Sequence, residues 1–420
     1  MAQGMEHMGS AVVIIGGARY DKFLSLTLKR SVEEGCCSGT VVLSWPGADV
    51  FNQSSQVAPA FNAGVEGEIH LDGQLAAKVI FDTRISKGTS KHYELTLQFR
   101  GQCSQMVDGG PRHESGQFNR SKSGQIIKQM MQGYKPQLME RGGGMKQIER
   151  FIIAEGETVE RAARRAARDQ DGMLLYENPE GNWVLENEFS GGSGGSLEIG
   201  RDFTQWSVKA DIVPRFSQYG MVGTGIPTDD KYGGGKQGTE QIWNQASRMM
   251  GGGGGGMDRM LRVLVDGDHD KGSIEKRGKT EGNRRSGQAL NVTLKTATWT
   301  DSGGALWDVE KKYHVKIPVD LVDDDCRLTE VEFELTPDSR SATLVLTSEN
   351  AWGGGGAENV LGNANAGKGS VLYDQPIGPQ APPPAAGPQT PPPPPPPETA
   401  PSAYTRSGTA IRRLLGLPTT

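Results

Sequence analysis

Apolar and polar positions alternate with period two through the first hundred residues, the pattern of strands with one buried face. Phe23, Leu24, Leu26 and Leu28 open it, Thr40–Trp45 continues it, and Val65, Ile69 and Leu71 lead into the turn signal Asp72-Gly73. Leu75–Ile85 and Tyr93–Arg100 then read as a hairpin around Lys87-Gly88. Five or six such strands with short turns predict a small antiparallel barrel or sandwich. From about Gly116 the period lengthens. Ile126, Ile127, Met130 and Met131 fall at helical spacing, with Ser121 or Ser123 as the cap. Phe151–Ala154 reads as a strand. Glu157–Arg168 is the clearest helix, with Val159, Ala162, Ala163, Ala166 and Ala167 on one stripe. Met173–Tyr176 and Trp183–Glu186 make the next hairpin, across Asn178-Pro179-Glu180-Gly181-Asn182.

Beyond it, Ser190–Ser196 reads as a Gly/Ser hinge and Phe203–Val213 as a strand. A Gly-rich stretch from Gly220 to Gly256 is broken by a short helical pattern at Gln241–Met250. Strand patterns return at Ala289–Leu294, Val309–Ile317, Leu328–Leu335 and Ala342–Leu346. The expected fold is mainly β with an inserted α+β unit. Its parts are a first β-barrel domain at 10–108, an α+β domain at 109–200, a second β-barrel domain at 201–350 with a Gly-rich insert at 220–287, and a Gly/Pro-rich tail at 351–420.

Composition bears mainly on that tail. Fifteen of the 24 prolines lie between Pro376 and Pro418, seven of them consecutive at 391–397. Such a segment has too little apolar surface to repay its ordering entropy, so it is expected to be disordered or PPII-like. Near its end Ile411, Leu414 and Leu415 form a small apolar face beside Arg412 and Arg413, a candidate docking surface for a partner.

Charge and motifs exclude more than they assign. Lys plus Arg is 45 against 50 Asp plus Glu, a net charge of −5, which argues against a dedicated duplex-DNA binder. The longest apolar run, Ala11–Ile15, is far short of the ~20 residues of a membrane span. Met1–Ser10 lacks the basic and apolar regions of a signal peptide. Gly191–Gly195 fits GxSxG but has no strand-to-helix context. Gly362…Gly367-Lys368 has Gly369 where a P-loop needs Ser or Thr. Asp266, Asp268 and Asp270 resemble the opening of a calcium loop, yet Lys271 and Arg277 occupy the positions that need Gly and Glu, so a solvated acidic turn is expected. Asp323-Asp324-Asp325 reads as another turn. His70 and His314 fall in strand patterns as face-lining residues. The arginines of 157–168 read as a solvated helix face. Cys36, Cys37, Cys103 and Cys326 lack zinc spacing and read as free thiols, with one long-range disulfide as the alternative. No catalytic, cofactor or metal residue is assigned.

Four stretches, in this order, resemble the baseplate hub proteins of contractile-tailed phages, especially the Mu-like hub family. The first is Leu95–Gly101 followed by Ser104–Asp108, with Gln102-Cys103 standing where the family has an Arg/Ser pair. The second is Gly116-Gln117-Phe118 leading into Gly124–Met131. The third is Gly156-Glu157-Thr158 opening the Ala/Arg helix, then Gly172–Glu177 and Gly181-Asn182. The last comprises Asn291–Lys295, Gly304–Trp307, Val315–Pro318 and Leu328–Leu335.

The resemblance covers residues 10–350 and implies a homotrimer. Two similar small antiparallel β-barrels per protomer make a trimeric pseudo-sixfold ring that adapts the sixfold tail tube to the threefold spike, its lumen passing DNA in transit. Implied partners are the tail tube protein, the tail spike protein, the tape measure protein and other baseplate proteins, with no membrane. The implied location is the virion tail baseplate after assembly in the host cytoplasm, and no enzyme activity is implied. A rival resemblance rests on the strand before Gly156-Glu157-Thr158-Val159 and its helix, which is similar to peptidoglycan-binding LysM modules and implies a cell-wall anchor. LysM places two helices between its two strands, whereas here one helix precedes a hairpin.

Overall fold

A computed structural model describes residues 11–46, 61–142, 145–169, 173–186, 192–224, 241–244, 259–268 and 289–348, apart from scattered positions within those spans, together with 278, 281, 282 and 285. Seven strands come first: β1 (Ala11–Ile15), β2 (Ala18–Tyr20), β3 (Ser25–Ser31), β4 (Ser38–Pro46), β5 (Glu66–Leu71), β6 (Gln74–Thr89) and β7 (His92–Gly101). The expected alternation is present: in β3 Ser25, Thr27 and Lys29 are half-buried, while Leu26, Leu28 and Arg30 are buried. Asp72 and Gly73 join β5 to β6 with φ of 48° and 77°, the two left-handed positions that a tight hairpin turn requires.

The middle of the chain forms α1 (Ser104–Asp108), β8 (Gln117–Lys122), α2 (Ser123–Met130), β9 (Leu138–Arg141), β10 (Gln147–Ile152), α3 (Val159–Asp169), β11 (Leu174–Glu177) and β12 (Trp183–Glu186). The α3 stripe is buried as its spacing requires, and its alanines let the helix lie close to its neighbours. The cap of α2 differs from expectation. Ser123 is already helical, and the side chain of Gln125 turns back to accept the Lys122 N–H at 3.1 Å.

The last part contains β13 (Ser193–Glu198), β14 (Gln205–Ala210), β15 (Gln218–Thr224), β16 (Gln241–Asn244), β17 (Met260–Asp268), β18 (Leu290–Thr296), β19 (Lys312–Ile317), β20 (Val322–Leu335) and β21 (Arg340–Ser348). Four expectations are corrected here. Residues 193–196 are not a hinge, because they begin β13 and pair in parallel with β19. Gln241–Asn244 is a strand rather than a helix; it joins β15 and β17 in a small sheet within the Gly-rich stretch. Asp266 and Asp268 lie on β17, not in a turn. Asp323-Asp324-Asp325 also lies within a strand: β20 begins at Val322 because Lys316, Val315 and His314 of β19 pair across from it.

The two β blocks are joined: β3 pairs antiparallel with β20, and a single 13-stranded sheet runs through both. Its apolar residues form one continuous core, from Leu26 and Phe81 to Val292 and Phe333. The sheet is rolled. In strand order β5 and β21 are six spacings apart, about 29 Å if the sheet were flat. Yet Asp72, at the end of β5, meets Arg340 of β21 at 3.3 Å. The neighbouring Gln74 donates from Nε2 to the Gly304 carbonyl at 2.9 Å. The other half turns similarly, since its edge strands β13 and β14 are joined by residues 199–204 and Ile199 pairs with Phe203 across that link. Among the described residues no hydrogen-bonded strand pair closes either half on itself. No helix among the described residues is long and apolar enough to cross a membrane.

Candidate functional site

A second core lies under α1–α3, built from Cys103, Met106, Ile126, Ile127, the α3 alanines and Trp183. The hairpin β11–β12 belongs to both cores. Leu175, Trp183 and Leu185 face the helical core, while Tyr176 and Val184 face the sheet core. Period-two alternation therefore buries both faces, and Trp183–Glu186 is buried at every position. This explains why the two strands read as nearly unbroken apolar runs, each ending in a glutamate.

Those glutamates hold the module to opposite halves of the sheet. Glu177 accepts the backbone N–H of Cys37 at 2.7 Å and that of Cys103 at 2.8 Å, one on each oxygen. Gly101 is required beside it, because a Cβ there would overlap the carboxylate. Next to it the Trp183 indole donates from Nε1 to the Gly35 carbonyl at 2.8 Å, and the Lys78 N–H reaches the Pro179 carbonyl at 3.0 Å. The hairpin is thus pinned beside the start of β4, the end of β7 and Lys78 within β6. Burial raises the Glu177 carboxyl above its ordinary value, opposed by the two N–H donors.

Glu186, at the other end, meets the Arg327 guanidinium of β20 at 2.9 Å, with side-chain exposures of 1% and 0%. The Tyr176 hydroxyl donates to the same Glu186 oxygen at 3.3 Å, and Arg327 Nε donates to the Val309 carbonyl at 3.3 Å. Two more pairs flank this one. Arg141 of β9 binds Glu310 at 2.7 Å, and the buried Arg30 of β3 binds Asp308 at 3.3 Å. Burial and then Asp308 raise the Glu310 carboxyl, against Arg141. Three arginines and three carboxylates therefore meet where both halves of the sheet and the helical module join.

Chemically this is a holding site. Burial first, and then the Glu177 charge, push the Cys36 thiol up to about 12 and those of Cys37 and Cys103 well above their ordinary value. Such thiols are poor nucleophiles. All four cysteines are free. Burial likewise raises the Tyr176 hydroxyl, keeping it a donor. Among the described residues no group of three His, Cys, Asp or Glu side chains is placed to hold a metal. The docking residues Ile411, Leu414 and Leu415 lie outside the described residues. Sequence reasoning did not single out Glu177, Glu186, Arg327 or Arg30. Its available signal was the placing of charged residues inside or at the ends of apolar strands.

The segment that carries the junction has a family of its own. Residues 103–187 match the family of baseplate hub proteins, gp44-like, second domain. No curated protein matches the sequence. In fold the chain is similar to the 43 kDa tail protein of prophage MuSo2 from Shewanella oneidensis, with a TM-score of 0.69 at 19% identity over 82% of this chain and 99% of that one. It is also similar to a tail protein from Neisseria meningitidis, with a TM-score of 0.65 at 16% identity over 83% and 99% of the two chains. The prophage tail protein gp18 from Listeria monocytogenes is a more distant likeness, with a TM-score of 0.54 at 9% identity over 85% and 100%. The hub resemblance read from the sequence is thus met by a family match on the module and by a shared fold over most of the chain.

Proposed function

We propose that this chain is the central hub of a phage-type tail baseplate, a structural virion protein that works as a homotrimer without catalytic turnover. Each copy contributes two rolled β halves, closed into barrels in the assembled ring, so that three copies present six. The ring adapts a sixfold tube to a threefold spike, and DNA passes through its lumen. The domain division at 108, 200 and 350 belongs to this reading. So does docking of Ile411, Leu414 and Leu415 on another baseplate protein, with tube, spike and tape measure proteins as neighbours. Assembly takes place in the host cytoplasm.

The observation that carries the reading is the joining of two rolled halves of one chain in one sheet, with the gp44-like segment anchored to both. A ring of this kind depends on large obligate interfaces, on the order of 2,000 Å² or more. Light scattering on the full chain is expected to give three times its 45.1 kDa mass, and electron microscopy of isolated tails to place three copies at the tube–spike junction. A chain that stays monomeric with its tube and spike neighbours present, or is missing from tails, overturns the proposal.

A further inference from the structure

His314 of β19 stands directly opposite Asp325 of β20, with Lys316 opposite Asp323. Asp323 and Asp325 are two residues apart and share the face that carries the imidazole. His314 Nδ1 lies 2.9 Å from Asp325 Oδ1, and Nε2 lies 2.8 Å from Asp323 Oδ1. A carboxylate only accepts hydrogen bonds, so both ring nitrogens must donate, and only the doubly protonated imidazolium can do that. With one proton the ring turns a lone pair toward a carboxylate oxygen at the same distance.

From this geometry, and independently of the hub reading, we infer that His314, Asp323 and Asp325 form a proton-operated strap across β19 and β20, closed by the imidazolium and released on one arm when the ring loses a proton.

The other charged groups around the ring set the balance. On β19 itself are Lys312 and Lys316. On β20, Arg327 stands opposite Lys312, while Asp324 points away and accepts the Ser348 hydroxyl at 3.5 Å and the Asp325 N–H at 2.9 Å. From β13, Ser196 stands opposite His314 and Glu198 opposite Lys316. Asp320, in the turn between β19 and β20, is occupied by the Trp206 indole at 2.7 Å. Hydrogen bonds to Asp325 and Asp323 raise the His314 pKa above its ordinary 6.5, against partial burial. A raised histidine stabilises the fold fully below its ordinary value and loses that contribution as pH rises through its raised one. The strap therefore loosens on the alkaline side. It acts at the end of the sheet where β21 finishes at Ser348, the point from which the chain passes on to residue 349.

Histidine-labelled NMR of the full chain tests this, with the His314 signal identified by its loss in His314→Gln. His314 is expected to titrate above 6.5 and to carry protons on both nitrogens at pH 6. Hydrogen exchange in peptides covering 312–317 and 322–327, corrected for intrinsic rates, is expected to lose about two- to five-fold protection between pH 6 and pH 9, the scale of an exposed ion pair. His314→Gln should abolish that pH dependence. Asp323→Asn keeps the ring and should move its titration toward the ordinary value. A wild-type His314 that titrates at or below 6.5, or an equal loss of protection in wild type and His314→Gln, overturns the inference.

Discussion

Glu177 and Glu186 end the two strands of one hairpin, both nearly sealed from water, and they are held by different means. Glu177 is gripped by two backbone N–H groups, those of Cys37 and Cys103, with the thiols of the same two residues beside it. Glu186 is gripped by the Arg327 guanidinium, with the Tyr176 hydroxyl of its own hairpin on the same oxygen, and any residue other than arginine at 327 removes the ion pair. The first arrangement answers mainly to backbone position. The second answers to residue identity. A hairpin fastened in both ways reports to one half of the sheet by geometry and to the other by charge.

The sharpest way to break the contrast is Arg327→Met. It takes the guanidinium from a buried carboxylate and is expected to cost about 3–5 kcal/mol in urea unfolding. Adding Glu186→Leu should recover most of that loss, because the apolar pair no longer carries a buried charge. Glu177→Gln keeps shape and volume but sets an amide NH₂ against one of the two N–H donors, and a loss of about 1–3 kcal/mol is expected. No substitution at Cys37 or Cys103 that preserves the backbone should rescue it.

A pH series separates the ends further. The carboxyls of Glu177 and Glu310 are raised above 4.5. The stability they contribute is therefore whole below that value and is lost as pH rises through their raised ones. The urea midpoint is expected to fall less steeply between pH 4.5 and 8 in Glu177→Gln and Glu310→Gln than in the wild type. The smallest effect belongs to a pair in solvent. Arg100 binds Asp108 at 2.6 Å on the surface and holds its carboxyl below the ordinary value. Asp108→Asn, which leaves the Arg100–Asp82 pair in place, is expected to cost about 0.2–1 kcal/mol, and less at high salt.

Much of this was legible in the sequence, for identifiable reasons. The alternation of β3, the Asp72-Gly73 turn, the α3 alanine stripe and the hairpin at 174–186 are local patterns, and each appears within two or three residues of its expected bounds. The joining of β3 to β20 was not legible. The two strands lie some three hundred residues apart, and each reads equally well as the edge or the interior of its own sheet. Asp323–Asp325 was misread because three carboxylates signal a turn only while their cross-strand partners are unknown. The Glu177 clamp had no visible signature, since backbone N–H groups are present everywhere. The Glu186–Arg327 pair left a trace in two charges set among apolar neighbours, but nothing local connected one with the other.

The separation along the chain also sets an order in time. When a ribosome releases Glu177, residues 37 and 103 are already behind it, so the backbone clamp can close at once. Arg327 lies 141 residues beyond Glu186. At ~5–20 residues per second that distance takes roughly 7–28 s to synthesise. Throughout that interval the module is fastened to the first half alone, and Glu186 waits at the exposed end of a finished hairpin. The guanidinium arrives only after that wait, so a nascent chain stalled at residue 320 should already bury Trp183 while Glu186 remains open to water.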